Sequence, residues 1–141
     1  MSLEAFFAQY REGYSQLDVD AVISHFAVPF TTIHHGDLAC WQDMYSLRAT
    51  TSALLEWYRA QGFAGAAHQV EGVLPMGNDA ACATLIWTVE RNGQPPWRYR
   101  TGYHLKRTAG QWKIYGVVQY DTAPEQQTMA QPSSQPPVEA G

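Results

Sequence analysis

Two hydrophobic periods divide this chain, and their order constrains the fold more than any single residue. Apolar side chains recur every three or four positions as far as about residue 60. From about residue 66 to 120 they alternate every second position. The first spacing is that of a helix face and the second that of a strand. Helices first and an antiparallel meander last predict an α+β domain in which a curved sheet folds over its helices and encloses a pocket.

Length and composition set the bounds. The chain has 141 residues, 45% of them hydrophobic and only 16% charged, which suits one packed domain rather than a disordered polymer. Five Trp, eight Tyr and five Phe exceed what a plain core needs and suggest stacked rings, a ligand cavity or an apolar interface. A net charge of −4 with no run of Lys or Arg argues against nucleic acid and anionic membrane as partners. No apolar run approaches the ~20 residues of a membrane span, and Met1-Ser2-Leu3-Glu4 lacks a basic leader. Cys40 and Cys82 match no metal or redox spacing and are expected as buried free thiols in a reducing cytosol. No phosphate-binding loop, dinucleotide glycine pattern or nucleophile elbow occurs, so no cofactor and no metal are predicted.

Along the chain, Ser2 caps a helix whose buried stripe is Leu3, Phe6, Phe7, Tyr10, Tyr14 and Leu17. Asp18 caps a short second helix that Pro29 ends. Phe30 to His35 and Leu38 to Trp41 form a small hairpin around Gly36-Asp37. A third helix starts near Asp43, buries Met44, Leu47, Thr51, Leu54, Leu55 and Tyr58, is weakened at Thr50-Thr51, and stops at Gly62. Four strands follow, Ala66 to Met76, Ala80 to Arg91, Trp97 to Thr108 and Gln111 to Tyr120, joined by turns at Gly77-Asn78-Asp79, Asn92-Gly93 and Ala109-Gly110. Residues 1–121 read as the domain. Residues 122–141, rich in Gln, Pro, Ser and Ala, read as a disordered tail.

The hairpins imply a register. A two-residue Asn92-Gly93 loop sets Ile86 opposite Tyr99, and a two-residue Ala109-Gly110 loop sets Leu105 opposite Ile114 and Tyr103 opposite Gly116. One face then carries Cys82, Thr84, Ile86, Thr88, Tyr99, Thr101, Tyr103, Leu105, Trp112, Ile114 and Val118, and it should lie over the helices. The other carries Leu85, Trp87, Val89, Arg98, Arg100, His104, Tyr115 and Gln119. Leu85, Trp87, Arg100 and Tyr115 there predict a homodimer through the outer face. A bulge would reverse these assignments beyond it.

This order of elements resembles the nuclear transport factor 2-like superfamily, which includes SnoaL-like cyclases, ketosteroid isomerases and scytalone dehydratases. The resemblance rests on Phe6 to Phe26, on the Gly77-Asn78-Asp79-Ala80 turn with its flanking strands, and on the closing Gly110-Gln111-Trp112-Lys113-Ile114; it covers about residues 3–120. It implies a cone-shaped α+β barrel, a pocket between sheet and helices, and commonly a homodimer. In the superfamily's enzymes acid–base Asp, His and Tyr residues line the cone. Tyr14 sits on a helix like the one that carries the isomerases' Tyr.

Candidate chemistry follows from residue type. His34 and His35, as strand neighbours, point to opposite faces, so one of them can enter the cavity as a general base or both can sit on a solvated hairpin tip. On the strand from Ala66, either His68 or the Gln69/Glu71 pair faces inward; a buried Glu71 would have a raised pKa and could act as a base. Tyr14, Tyr99 and Tyr103 could donate to a ligand oxygen or serve as core. Two readings stand. One is a cofactor-independent isomerase, cyclase or dehydratase acting on a hydrophobic oxygenated ligand. In it Tyr14 and Tyr99 polarise an oxygen, His34 or Glu71 moves the proton, and Phe30, Tyr58, Thr84, Thr101, Tyr103 and Trp112 line the site. The other is a non-catalytic ligand-binding or homodimerisation module. Both are expected in the cytoplasm.

Overall fold

The computed structural model of the chain describes residues 2–120; the expected tail at 122–141 lies outside the described residues. Its elements are α1 (Leu3–Ser15), α2 (Val19–Ile23), β1 (Phe26–His34), β2 (Asp37–Trp41), α3 (Met44–Ala60), β3 (Phe63–Pro75), β4 (Ala80–Arg91), β5 (Gln94–Thr108) and β6 (Gln111–Tyr120). The helix starts follow local chemistry. Ser2 Oγ accepts from the Ala5 amide at 3.1 Å, Asp18 Oδ1 from Ala21 at 3.2 Å and Asp43 Oδ1 from Ser46 at 2.8 Å. Each bond satisfies an amide that has no partner in the first helical turn. Gly62, at φ +82°, takes the left-handed position that closes α3. Helix α3 runs unbroken past Thr50-Thr51, where the Thr50 hydroxyl instead accepts from the Trp41 indole at 2.9 Å. Pro29 does not end α2, which stops at Ile23; it lies inside β1.

The six strands form one mixed sheet in the order β2-β1-β6-β5-β4-β3. Every neighbouring pair is antiparallel except β1 with β6. The expected cone-shaped barrel does not form. The sheet is open and not strongly curled, with β2 and β3 as edges at opposite ends of the order. Helix α3 touches both edge strands, so a helix spans the gap that strand pairing would otherwise close.

Two bulges revise the facing of side chains. Arg91 pairs with Gln94, as the short Asn92-Gly93 loop requires, but the register slips between Val89 and Arg91, so Trp87 pairs with Tyr99 and Leu85 with Thr101. One extra residue turns all of β4 over. Ala83, Leu85, Trp87 and Val89 are therefore buried under the helices, and Leu85 and Trp87 are not part of an outer patch. Thr84, Ile86 and Thr88 take the outer face instead. A second slip between His104 and Leu105 keeps Leu105 opposite Ile114 but sets Tyr103 opposite Val117. It brings Gln119 inward and sends Val118 outward.

The core is a ring cluster under α1. Trp87, 2% exposed, donates its indole N–H to the Tyr103 hydroxyl at 2.8 Å. Tyr10 packs edge-on against both, with centroids at 6.1 and 6.0 Å, and Phe7 adds a contact to Tyr103 at 5.1 Å. Trp87→Ala is expected to cost about 3–5 kcal/mol, because it opens a cavity and removes the bond to the Tyr103 hydroxyl. Urea unfolding checks this; a loss below about 0.5 kcal/mol, the scale of a surface change, would return Trp87 to the outer face.

Candidate functional site

One ladder row of the sheet places three polar side chains side by side where apolar ones would be expected. His34 of β1 pairs with Gln119 of β6, and Gln119 pairs with Thr101 of β5. Leu85 of β4 continues the row. Partners in a ladder share a face, and this face is covered by the helices. Thr101 is fully buried and Gln119 is 6% exposed. His34 Nε2, Gln119 Oε1 and Thr101 Oγ1 are each buried with no hydrogen-bond partner. Thr51 Oγ1, on the buried face of α3, is in the same condition. Each such unmade bond costs about 1–3 kcal/mol, and native interiors rarely leave polar groups so. Three of these atoms fall in one ladder row, which makes it a candidate site; His68 Nδ1 is a further buried atom without a partner, outside the row.

The tyrosines border it. Tyr99 is two residues from Thr101 on the same face, and its hydroxyl lies 3.1 Å from that of Tyr58. Tyr58 packs edge-on against Tyr14 at 6.3 Å. Phe30 packs between Phe26 and Trp41, at 4.5 and 6.0 Å. Thus His34, Thr101, Tyr14, Tyr58 and Tyr99 belong to one part of the interior, Tyr103 lies one row below, and Phe30 lies beyond the Tyr103 row.

Three candidates lie elsewhere. Glu71 sits in a third bulge, between Val70 and Gly72, and is held by Arg100 with Oε1 2.9 Å from Nε. The hydrogen bonds from Arg100 lower its pKa, the reverse of what a buried base would show. His68, not Glu71, is the β3 side chain that turns inward, against Phe7 and Trp87. Thr84 lies on the outer face. Trp112 lies half-buried at the opposite end of the sheet.

His34 and His35 do not diverge as strand neighbours would. The strand ends at His34, His35 adopts φ +52°, and the two rings lie 4.4 Å apart. Burial, reinforced by the His35 ring and opposed by Asp37, lowers the His34 pKa from 6.5 to about 4. At neutral pH His34 is therefore an uncharged imidazole able to donate or accept. Cys40 and Cys82 are free but not buried: Cys40 is exposed, and Cys82 lies half-buried beside His104 Nδ1 at 3.4 Å. Among the described residues no three His, Cys, Asp or Glu side chains are placed to hold a metal ion. No helix there is long and apolar enough to cross a membrane.

The candidate residues that sequence reasoning does not find are Gln119 and Thr51. Strict alternation points Gln119 outward, and only the slip before Leu105 turns it inward. Thr51 read simply as one position of a buried stripe.

The family model described as "NTF2-like protein (DUF6841)" matches residues 2–122. No curated protein matches the chain. Among solved structures, an NTF-2 like protein of unknown function from Shewanella oneidensis is similar at 12% identity and TM-score 0.67, over 84% of this chain and 96% of that one. A domain of unknown function with a cystatin-like fold from Nostoc punctiforme is similar at 15% identity and TM-score 0.69, over 90% and 80%. A ketosteroid isomerase-like protein from Erwinia carotovora atroseptica is similar at 19% and 0.67, over 86% and 94%. At these identities the likeness is one of fold.

The depressed His34 pKa has a consequence for stability. The unfolded chain takes up a proton near pH 6.5, whereas the folded one resists it down to about 4. Stability contributed by neutral His34 is thus complete above pH 6.5 and is lost as pH falls toward 4. His25 and His68, also lowered by burial, act in the same direction. Urea unfolding between pH 7 and 4 should show the decline, and His34→Gln should make it shallower. An identical slope in the variant would mean that His34 titrates normally.

Proposed function

We propose, since the chain belongs to the NTF2-like protein (DUF6841) family, that its helix-covered row His34–Gln119–Thr101, with Thr51, binds a small, largely apolar molecule through that molecule's oxygen groups. The observation that carries this reading is the set of buried polar atoms without partners on these four residues. A ligand bearing a carbonyl and a hydroxyl would complete those bonds, and the surrounding tyrosines would hold its apolar body. Acid–base turnover (isomerisation, cyclisation or dehydration) is the chemistry such a site would support. Tyr14 and Tyr99 would polarise an oxygen and His34 would carry the proton. The solved Erwinia relative described as ketosteroid isomerase-like supports this form of the reading. With a pKa of about 4, His34 is a weak base at neutral pH, so hydrogen bonding to the ligand is its primary role here.

The test is to titrate small ketones, lactones and phenols into the protein and follow backbone amide signals. Binding should move Thr101, Gln119 and His34. Thr101→Val replaces an unpartnered hydroxyl by a methyl; it should leave the protein as stable or stabilise it by about 1 kcal/mol, while weakening probe binding about fivefold or more. A variant that loses stability yet binds unchanged would show that the hydroxyl belongs to the core alone.

The outer face supports a homodimer reading, on residues revised from those expected. One ladder row crosses all six strands as Leu38–Ile33–Val118–Gly102–Thr84–Gly72. Leu38 is 71% exposed and Ile33 38%. Arg100 and Tyr115 flank this row. An exposed apolar strip of this kind suits a second copy of the same surface. Sedimentation equilibrium at micromolar concentration should show a dimer that Ile33→Glu dissociates; a wild-type monomer would remove the proposal.

A further inference from the structure

A cleft of about 600 Å3 opens at the end of the sheet away from the polar row, between α1, the α2–β1 junction and the β5–β6 turn. Its volume falls within the ~300–1,000 Å3 of small-molecule sites. The turn that forms one wall is tight, with Ala109 and Gly110 both at positive φ, 52° and 78°. It brings Gln111, Trp112 and Lys113 opposite Phe6 and Gln9 of α1 and His25 beyond α2.

The chemistry of this lining is specific. Lys113 donates to the Ser24 carbonyl oxygen, which uses one of the three ammonium protons. Among the described residues it forms no ion pair, so its charge is uncompensated by a carboxylate. The Arg107 guanidinium lies 4.9 Å from the centre of the Trp112 ring and adds a second cation to this end of the fold. His25 Nδ1 lies 2.8 Å from the Ala21 carbonyl oxygen. A carbonyl can only accept, so Nδ1 carries the proton of the neutral ring and Nε2 is the acceptor. The His25 ring is fixed edge-on by Phe6 and Tyr10, at 5.0 and 5.5 Å. The cleft thus combines aromatic walls, a cation, an imidazole acceptor and two side-chain amides.

We propose that this cleft is a second binding site, independent of the polar row, that takes a small aromatic carboxylate. The ring rests against Phe6 and Trp112, the carboxylate meets the Lys113 ammonium, and a hydroxyl on the ring donates to His25 Nε2. The aromatic walls favour a flat apolar body, and the unpaired cation favours an anionic head.

The experiment is an amide and indole NMR titration of the full chain with benzoate and, separately, with benzyl alcohol. Benzoate should saturate and shift Gly110, Gln111, Lys113, His25 and the Trp112 indole, with benzyl alcohol binding about tenfold more weakly. Lys113→Met should weaken benzoate about tenfold, a figure in keeping with loss of one charge-assisted bond. Lys113→Arg, which keeps the charge, should hold affinity within about threefold of wild type, about 0.65 kcal/mol. The proposal is overturned by equal binding of the two probes to the wild type, by unchanged benzoate affinity in Lys113→Met, or by shifts confined to Thr101 and Gln119. The wild-type comparison of probes decides the matter even if Lys113→Met does not fold.

Discussion

The buried indole of Trp87 is the constraint on which the rest of this structure depends. An indole N–H under a helix needs an acceptor, and the Tyr103 hydroxyl at 2.8 Å is that acceptor. The bond joins β4 to β5 on the inner face and sets the depth at which Tyr10, Phe7 and Tyr14 can pack. It requires β4 to present its odd-numbered residues to the helices, which the slip between Val89 and Arg91 makes possible. Without that extra residue Trp87 would face outward, and the aromatic stripe of α1 would meet Ile86 and Thr84 instead.

The interior that results is chemically uneven. Beneath α1 it is aromatic, with the Trp87 indole bonded to the Tyr103 hydroxyl. Toward the end of β1 it becomes polar, with His34, Gln119 and Thr101 holding atoms that find no protein partner, and Thr51 of α3 holds a fourth. An ordinary core would not retain four such groups, because each opposes folding by about 1–3 kcal/mol. Three of them share one ladder row, and the proposed ligand would supply their missing bonds. Helix α3 helps to enclose this end: it crosses from β2 to β3 and closes over the inner face an edge-to-edge distance that the strands leave open.

Opposite ends of one sheet therefore carry different chemistry. The polar row is neutral at physiological pH, since burial holds His34 uncharged, and it suits neutral oxygens. The cleft by the β5–β6 turn is cationic through Lys113, and it suits an anion. The buried rows of Tyr103 with Val117 and of Leu105 with Ile114 lie between them. Their separation by a packed core allows each to be altered without disturbing the other, as expected for sites that share no side chain.

Much of the fold was legible because it is local. Ser2, Asp18 and Asp43 cap their helices through bonds spanning three residues, and Gly62 and Asn92-Gly93 turn the chain by their own backbone freedom. Those effects need no distant partner, so a sequence alone determines them, together with the aromatic stripe of α1 and the alternation of β5. Facing was different. Alternation carries parity along a strand only until a bulge, and nothing in the residues around Glu90, Tyr115 or Glu71 announces one. The inward turn of Leu85, Trp87 and Gln119, the outward place of Glu71 and Thr84, the open sheet in place of a closed cone, and the meeting of His34 with Gln119 across a parallel pair all depend on contacts between residues far apart in the chain. Tertiary structure decided them, because a one-residue slip leaves the local chemistry unchanged while exchanging every side chain between core and surface.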